Sequence, residues 1–366
     1  MHEVPIAVIG GGPAGLSAAV EAAKAGAKVL VIDENGKPGG QLFKQIHKFF
    51  GSREHKAGVR GFHIGEKLLE ETKQLGIEVW LNSEVCGIDG EKNIWIVRDK
   101  KESCNMKAEK IILATGATEN ALSFPGWTLP GVMGAGAAQT MININRVLPG
   151  KRVVMVGSGN VGVIVSYQLL QAGAEVAAIV EAAPSLGGYG VHTAKVRRAG
   201  VPFYTSHTIS KAVGARCVEG VEIVQLDHQW KPISGTERLL EADTICLATG
   251  LTPLTELAWA VGCKFQFIPE MGGHVPVHDR YMETTMDGIY IAGDISGIEE
   301  ASTAMEEGRL AGINAAYALG YMDDSQREQM TNEVWERLDA LRCGAFGEKR
   351  KAAKDRMLAV EEETAV

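Results

Sequence analysis

Two sets of glycines carry the first chemical signal in this chain. Gly10, Gly12 and Gly15 give G-x-G-x-x-G, and Gly157, Gly159 and Gly162 repeat the spacing. Glycines at these intervals permit a tight turn, let backbone approach a pyrophosphate, and let the next helix pack close to its sheet. Free N–H groups at the helix start then face phosphate. Asp33 and Glu34 follow Gly15 by 18 and 19 residues, and Glu181 follows Gly162 by 19. That is the spacing of a carboxylate accepting hydrogen bonds from ribose hydroxyls. Asp33 is the first choice for the acid of the first set and Glu34 the second. The chemistry expected is dinucleotide binding, twice.

The elements needed to position these residues are legible around them. Ile6–Ile9 is a short apolar run of buried-strand type, residues 16–25 are rich in helix formers, Gly26 ends that helix, and Lys28–Ile32 resume a strand. The second unit repeats this with Val153–Val156, a helix over 163–172 ended by Gly173, and a strand over Glu175–Val180. An internal repeat of the fold is the economical reading. A degenerate second copy kept for packing is the alternative, and the full set of glycines and the acid argue against it. The residues after Glu181 are Ala182, Ala183 and Pro184, with no base to meet a 2′-phosphate, so NAD is expected over NADP.

Two further stretches echo each other. IILATGAT occupies residues 111–118 and ICLATGLTP residues 245–253, each an apolar strand running into Ala-Thr-Gly. Glycine there lets the chain cross over a bound cofactor. GIYIAGDISG, residues 288–297, delivers Gly293 and Asp294 at a strand tip, and a helical stretch follows.

Composition bounds the rest. A chain of 366 residues exceeds what one hydrophobic core usually serves. Glycine, at 44 residues, is well above the usual ~7% and sits in apolar–glycine clusters. The net charge of -8 speaks against nucleic acid or an anionic membrane surface as partner. The basic run Lys349–Arg356, followed by Glu361, Glu362 and Glu363, reads as a solvated helix face. No apolar run reaches the ~18 residues of a membrane span, and the N-terminus lacks a basic region and cleavage site, so a cytoplasmic enzyme is expected.

The six cysteines are Cys86, Cys104, Cys217, Cys246, Cys263 and Cys343, and no two are separated by only two residues. That excludes a Cys-x-x-Cys redox pair and a tight metal knuckle. His47, His55 and His63 cluster after Gly39-Gly40-Gln41, among Lys44, Lys48, Arg53, Lys56 and Arg60. Surface or packing roles are expected for the histidines, and an acid/base or substrate role for one of them is the alternative. The basic residues either meet an acidic substrate or partner, or form a solvated face. His274 and His278 have no metal-ligand company. No metal and no catalytic side chain is assigned.

The motif order resembles the two-dinucleotide-binding-domain flavoproteins, the group that includes thioredoxin reductase. It runs FAD turn, first Ala-Thr-Gly, NAD turn, second Ala-Thr-Gly, Gly-Asp, over about residues 4–320. TGATENALSFPGWTLPGVMGAGAAQ, residues 115–139, is similar to the FAD/NAD-binding subunits of heteromeric amine and amino-acid oxidoreductases. Examples are those of sarcosine oxidase (its alpha chain), opine oxidase, hydrogen cyanide synthase and the dye-linked proline dehydrogenases. Oxidoreductases working beside a glycerol-3-phosphate dehydrogenase-type protein look similar too. The resemblance implies an α/β fold of two Rossmann-like three-layer domains, the NAD domain inserted in the FAD domain.

It also implies FAD contacts at Gly10, Gly12, Pro13, Ala14, Gly15, Asp33, Glu34, Gly40, Gln41, Val85, Ala114, Thr115, Gly116, Gly293, Asp294 and Ala304. Asp294 matches the acid that bonds the flavin ribityl chain. NAD contacts are implied at Gly157, Gly159, Asn160, Val161, Gly162, Glu181, Thr249 and Gly250. The chain departs from thioredoxin reductases in lacking their dithiol. With only Cys343 beyond residue 263, it cannot complete an iron–sulfur ligand set alone.

The expected domains are 1–119 with 251–325 for FAD, 120–250 for NAD, and a charged helical tail over 326–366. Pro125, Pro130 and the stretch to Gly136 form one linker and Leu251–Leu254 the return, two crossings that could act as a hinge. Met330, Val334, Leu338 and Leu341 make an apolar stripe on the tail, for its own domain or for a partner chain. The expected function is FAD-dependent hydride exchange with NAD(H), as part of a heteromeric dehydrogenase oxidising an amino acid, hydroxy acid or polyol phosphate. A self-contained NADH-dependent reductase of a small molecule or ferredoxin is the second reading. A structural protein that holds nucleotides without turnover is the third.

Overall fold

A computed structural model describes residues 2–49 and 55–364; Arg53 lies outside the described residues. The chain divides into two compact units, Met1–Thr118 with Thr252–Val366, and Glu119–Leu251. The first segment runs β1 (His2–Ile9), α1 (Pro13–Lys24), β2 (Val29–Ile32), α2 (Gly61–Gln74), β3 (Glu78–Trp80), β4 (Ser83–Ile88), β5 (Asn93–Arg98) and β6 (Glu102–Leu113). The chain leaves through β7 (Ala117–Glu119).

The inserted unit runs β8 (Val132–Gly134), α3 (Ala135–Thr140), β9 (Arg152–Val156), α4 (Asn160–Gln171), β10 (Glu175–Glu181), α5 (Gly190–Arg198), β11 (Phe203–Thr205), β12 (His207–Val213), β13 (Gly220–Gln225), β14 (Arg238–Glu241) and β15 (Thr244–Leu247). The chain returns through β16 (Leu251–Pro253), which pairs with β7. The closing segment holds α6 (Glu256–Ala260), β17 (Phe265–Ile268), β18 (Gly273–Pro276), β19 (Ile289–Ile291), α7 (Ala301–Tyr317), α8 (Asp324–Leu341) and α9 (Gly344–Thr364).

In the first unit one sheet has the order β3-β2-β1-β6-β5-β4, with β19 also on β6. Strands β3, β2, β1, β6 and β19 are parallel neighbours, while β5 and β4 continue antiparallel. β2 is buried along its whole length, and Ile6, Ala7 and Val8 of β1 are fully buried. That is the continuous apolar run of a strand covered on both faces. The inserted unit has a parallel sheet in the order β11-β10-β9-β15-β8, and a three-stranded antiparallel sheet β12-β13-β14. The α/β class expected from the strand and helix pattern is what the molecule shows.

Helix α7 packs on α1 through small residues. A Cβ on Gly308 would collide with the Ala14 carbonyl, and one on Gly312 with the Ala18 carbonyl, so the two backbones touch where any other residue would separate them. Gly308→Val is expected to destabilise the first unit by about 3 kcal/mol, the upper range for overpacking. Gly90→Ala has no neighbour within 4 Å of the added carbon and serves as the control in thermal unfolding.

The C-terminal helices belong to the first unit. Val334 and Leu338 of α8 are buried in its core, with Met330 and Trp335 against it. A capping box at Asp323 and Gln326 starts that helix: Gln326 N donates to Asp323, and Asp323 N donates to Gln326. The basic run Lys349–Arg356 corrects one expectation. Ala353, Lys354 and Met357 are buried, so this helix face is packed rather than solvated. The side chains of Glu361, Glu362 and Glu363 lie outside the described residues.

Candidate functional site

Parallel pairing sets the geometry of the site. In the first unit Ile9 is in register with Ile32 on one side and Leu113 on the other, and Leu113 with Ile291. The residues that leave these four strand ends are Gly10, Asp33, Ala114 and Ala292. The predicted residues Gly10–Gly15, Asp33, Ala114–Gly116 and Gly293–Asp294 are thereby gathered along one carboxyl edge, where ligands of open α/β sheets bind. In the second unit Val180, Val156 and Leu247 form the equivalent row, followed by Glu181, Gly157 and Ala248.

The two edges match bond for bond. Gly10 N donates to Ile32 O at 2.8 Å, and Gly157 N to Val180 O at 2.7 Å. Ala114 N donates to Ile9 O, and Ala248 N to Val156 O. Within each turn the glycines separate by task. Gly10 has φ +105° and Gly157 φ +103°, and a Cβ on either would strike the carbonyl of Ala114 or Ala248. A Cβ on Gly15 or Gly162 would strike the carbonyl of Gly10 or Gly157, which is the close helix–strand approach. Gly12 and Gly159 differ: nothing lies within 4 Å of an added carbon. They stand at the starts of α1 and α4, neither of which has a side-chain cap. An open space above uncapped helix N–H groups fits a pyrophosphate.

The acids are anchored in the same way. Asp33 Oδ2 accepts from Gly11 N at 2.6 Å, and its Oδ1 accepts from the main chain and side chain of Asn35. Glu181 Oε2 accepts from Ser158 N at 2.8 Å and from Ser158 Oγ, and its Oε1 accepts from Ala183 N. Each carboxylate thus holds its glycine turn from within. A carboxylate offers about four acceptor positions, so room remains for a ribose hydroxyl. Asp33 is the counterpart of Glu181, whereas Glu34 is exposed.

One pair of residues lies beyond the motifs singled out in the sequence. Gly39-Gly40 begins six residues after Asp33, and Gly187-Gly188 begins six after Glu181. Both doublets lie on their glycine turns. Gly39 N donates to Gly11 O at 2.6 Å, and Gly187 N donates to Ser158 Oγ at 3.0 Å. Asn160 Oδ1 accepts from Tyr189 N and fastens the second doublet further. The repeated doublet is visible as a spacing and is a third shared feature of the two units.

The other implied residues fall in different places. Pro13 and Ala14 open α1; Ala14 and Ala304 of α7 flank Gly293, whose φ is +78°. Gly40 approaches Gly12, and Gln41 is exposed. Val85 is half-buried on β4 opposite Ile96. Thr115 Oγ1 donates to Leu254 O at 2.6 Å, and Thr249 Oγ1 to Asn120 O at 2.9 Å. Those hydroxyl protons secure the crossing segments. Gly116 and Gly250 have φ +78° and +108°. Val161 is exposed beside Asn160 at the start of α4.

Asp294 sits in the short turn Gly293–Ser296, and burial pushes its carboxyl up to about 6. Glu307 of α7 accepts from Gly293 N and from Ser296 Oγ, so it holds this turn. Burial alone would raise the Glu307 carboxyl; Lys354 and Arg342 outweigh it and hold the group well below the usual range.

The histidines do not converge. His47 stacks on Phe49, and exposed His63 bonds Glu66 at 2.9 Å. Buried His55 lies 3.3 Å from Glu306. Burial works to raise the Glu306 carboxyl, but His55, Arg309 and Arg337 together bring it to about 2. Lys48, Lys56 and Arg60 are exposed and Lys44 is half-buried. Cys246 and Cys263 are buried, burial pushing the Cys246 thiol up to about 12, while Cys343 is exposed. No described helix is long and apolar enough to cross a membrane.

Comparison with known proteins agrees with this geometry. A family model described as pyridine nucleotide-disulphide oxidoreductase matches residues 4–308. An opine oxidase chain of Agrobacterium tumefaciens, named as one of that enzyme's subunits, is 32% identical over 84% of this chain and 64% of its own length. The chain therefore spans just under two thirds of that relative. Hydrogen cyanide synthase subunit HcnB of Pseudomonas aeruginosa is 27% identical over 94% of the chain and 77% of its own length. Among solved structures, a T. acidophilum thioredoxin reductase superposes with a TM-score of 0.71 at 21% identity, covering 87% of this chain and 99% of that one. L-proline dehydrogenase from P. horikoshii gives 0.68 at 24% identity, over 90% of this chain and 59% of that one. With two matched cradles at the ends of parallel strands in two sheets and a family match over most of its length, the chain belongs to the pyridine nucleotide-disulphide oxidoreductase family, whose members are oxidoreductase enzymes using FAD and NAD(P).

Proposed function

We propose that the first unit holds FAD, the second holds NAD(H), and the chain serves as the flavin-bearing component of a heteromeric dehydrogenase for an amino acid, hydroxy acid or polyol phosphate. The observation that carries this reading is the repeated edge: two uncapped helix starts over open glycines, each beside an anchored acid. When bound, the two cofactors supply hydride exchange between nicotinamide and flavin. The chain's part is to bind and orient. Gly11–Gly15 and Ser158–Gly162 receive the pyrophosphates, Asp33 and Glu181 the riboses, and Asp294 the ribityl hydroxyls. The relatives named as subunits of opine oxidase and hydrogen cyanide synthase support the heteromeric assignment. The sequence offers no Cys-x-x-Cys for thiol chemistry.

Tagged chain recovered from its native cells is expected to show dehydrogenase turnover only together with a second chain. A single species with full turnover on a small acceptor would establish a lone reductase instead. Glu181 makes a separate prediction. Its charge repels a 2′-phosphate, so NADH should be used ahead of NADPH. Glu181→Gln keeps an acceptor for Ser158 and removes the charge, and should narrow the NADH-to-NADPH ratio of kcat/KM about tenfold. A wild-type protein reduced faster by NADPH contradicts the role given to Glu181.

A further inference from the structure

Behind the Gly293–Ser296 turn lies a buried ionic cluster that neither glycine cradle accounts for. Arg342, at the end of α8, pairs with Glu299 and Glu307, both at 2.6 Å. Lys354, from α9, pairs with Glu307 at 2.7 Å and donates to Ser296 O and Ser296 Oγ at 2.7 and 2.8 Å. The side chains of Glu299, Glu307, Arg342 and Lys354 are 6, 4, 3 and 5% exposed. Burying ions costs several kcal/mol each unless they are paired and hydrogen-bonded, so a cluster of this kind is weak evidence for stability as such. Its geometry points elsewhere. The Glu307 carboxylate that receives both cations also receives Gly293 N at 3.1 Å and Ser296 Oγ at 2.7 Å. Those residues frame the turn carrying Asp294.

We propose that Lys354, with Arg342, is a positioning residue for FAD: acting through Glu307 and Ser296, it fixes the turn that presents the Asp294 carboxylate, and so makes α8 and α9 part of the flavin site. This rests on the reading of the first unit as the FAD holder. The charge balance shows what the cluster does for Asp294. Two cations, Arg342 and Lys354, face Glu299 and Glu307, and Asp294 is the third carboxylate beside them. His278, also beside these cations, is pushed by burial to about 4 and stays neutral above that pH. Burial, joined by the Glu307 and Glu299 charges, raises the Asp294 carboxyl to about 6, against the Glu299 N–H that donates to Asp294 Oδ1 at 3.4 Å and against the Lys354 cation. A ribityl hydroxyl donates to the ionised carboxylate, so FAD affinity should rise as pH passes upward through about 6 and fall below it. Removing the Lys354 cation disfavours that ionised form and moves the midpoint to higher pH.

The test is titration of apoprotein with FAD, followed by flavin fluorescence from pH 5 to 8. Lys354→Met should weaken binding near pH 6 by about tenfold, the scale of a charge-assisted hydrogen bond, and move the midpoint upward. Lys354→Arg should restore both. Unchanged affinity and midpoint in Lys354→Met overturn the proposal, and so does a uniform loss at every pH with no displaced midpoint, which is the signature of mere destabilisation. If Lys354→Met fails to fold, Glu307→Gln with Lys354→Gln removes the buried pair together. That double variant should bind FAD about tenfold more weakly at a near-native midpoint while its apoprotein unfolds at the wild-type temperature; the same loss with a lowered unfolding temperature is destabilisation and overturns the proposal. Wild-type affinity in it overturns the proposal. Wild-type protein that binds no FAD at any pH would instead sink the assignment of the first unit.

Discussion

Gly12→Asp is expected to give a folded protein that purifies without flavin. Gly12 has φ -79° and ψ -173°, an extended conformation open to any residue, and no atom lies within 4 Å of an added Cβ. The new Cβ therefore meets no steric obstacle. A carboxylate at the N-terminus of α1 complements the helix dipole and is worth about 0.3–1 kcal/mol to the empty protein. The same carboxylate fills the space for a pyrophosphate and repels it. FAD affinity should fall at least about a hundredfold, which is about 2.7 kcal/mol. Equilibrium dialysis measures that loss, and thermal unfolding of the apoprotein should show a midpoint equal to or above wild type. Retained flavin would mean that the first cradle does not receive the phosphates.

Gly159→Asp makes the complementary prediction. Gly159 has φ -61° and ψ 175°, and again nothing within 4 Å of an added carbon. The variant should remain yellow and be bleached by a chemical reductant, yet NADH should reduce it only at concentrations raised at least about a hundredfold. Loss of FAD from this variant would contradict the division of cofactors between the units. The neighbouring glycines serve as the contrast. Gly157→Ala and Gly162→Ala place a Cβ against the carbonyls of Ala248 and Gly157, and should destabilise the second unit itself. One motif thus holds glycines of two kinds, those the fold needs and those the ligand needs.

Much of this is legible in the sequence alone, for physical reasons. Strands such as Val29–Ile32 are buried on both faces and read as unbroken apolar runs. The glycines that avoid backbone collisions must recur at fixed intervals, so their spacing identifies both turns. Choosing Asp33 over Glu34 is harder, because adjacent acids differ only in which side of the strand end they face; the bond to Gly11 N shows Asp33 turned into the glycine turn. The doublet Gly187-Gly188 is easily passed over, although its spacing from Glu181 equals that of Gly39 from Asp33. Thr115 and Thr249 look like ligand groups because of their motif, yet their hydroxyls donate to carbonyls of the crossing segments, a partnership between distant residues that spacing does not show.

The charged C-terminus is the least legible region. Lys349–Arg356 has the composition of a solvated face, and nothing local distinguishes Lys354 from Lys349 or Lys351. What buries Lys354 is the apolar pair Ala353 and Met357 on the same face of α9, together with an acid on α7 distant in sequence. Such pairs form only in the folded chain. They also give the acid response of the protein a sign. Glu306 has its folded carboxyl lowered to about 2 from an ordinary 4.5. Its contribution to stability is fully present above the unfolded value and is lost as pH falls toward about 2.

The most direct measurement is anaerobic stopped-flow mixing of the purified flavin-loaded chain with NADH, using ordinary and 4-deuterated nicotinamide. Bleaching of the yellow flavin band is expected, slowed by deuterium when the transferred position is labelled. Flavin that stays oxidised while NADH demonstrably binds would contradict it.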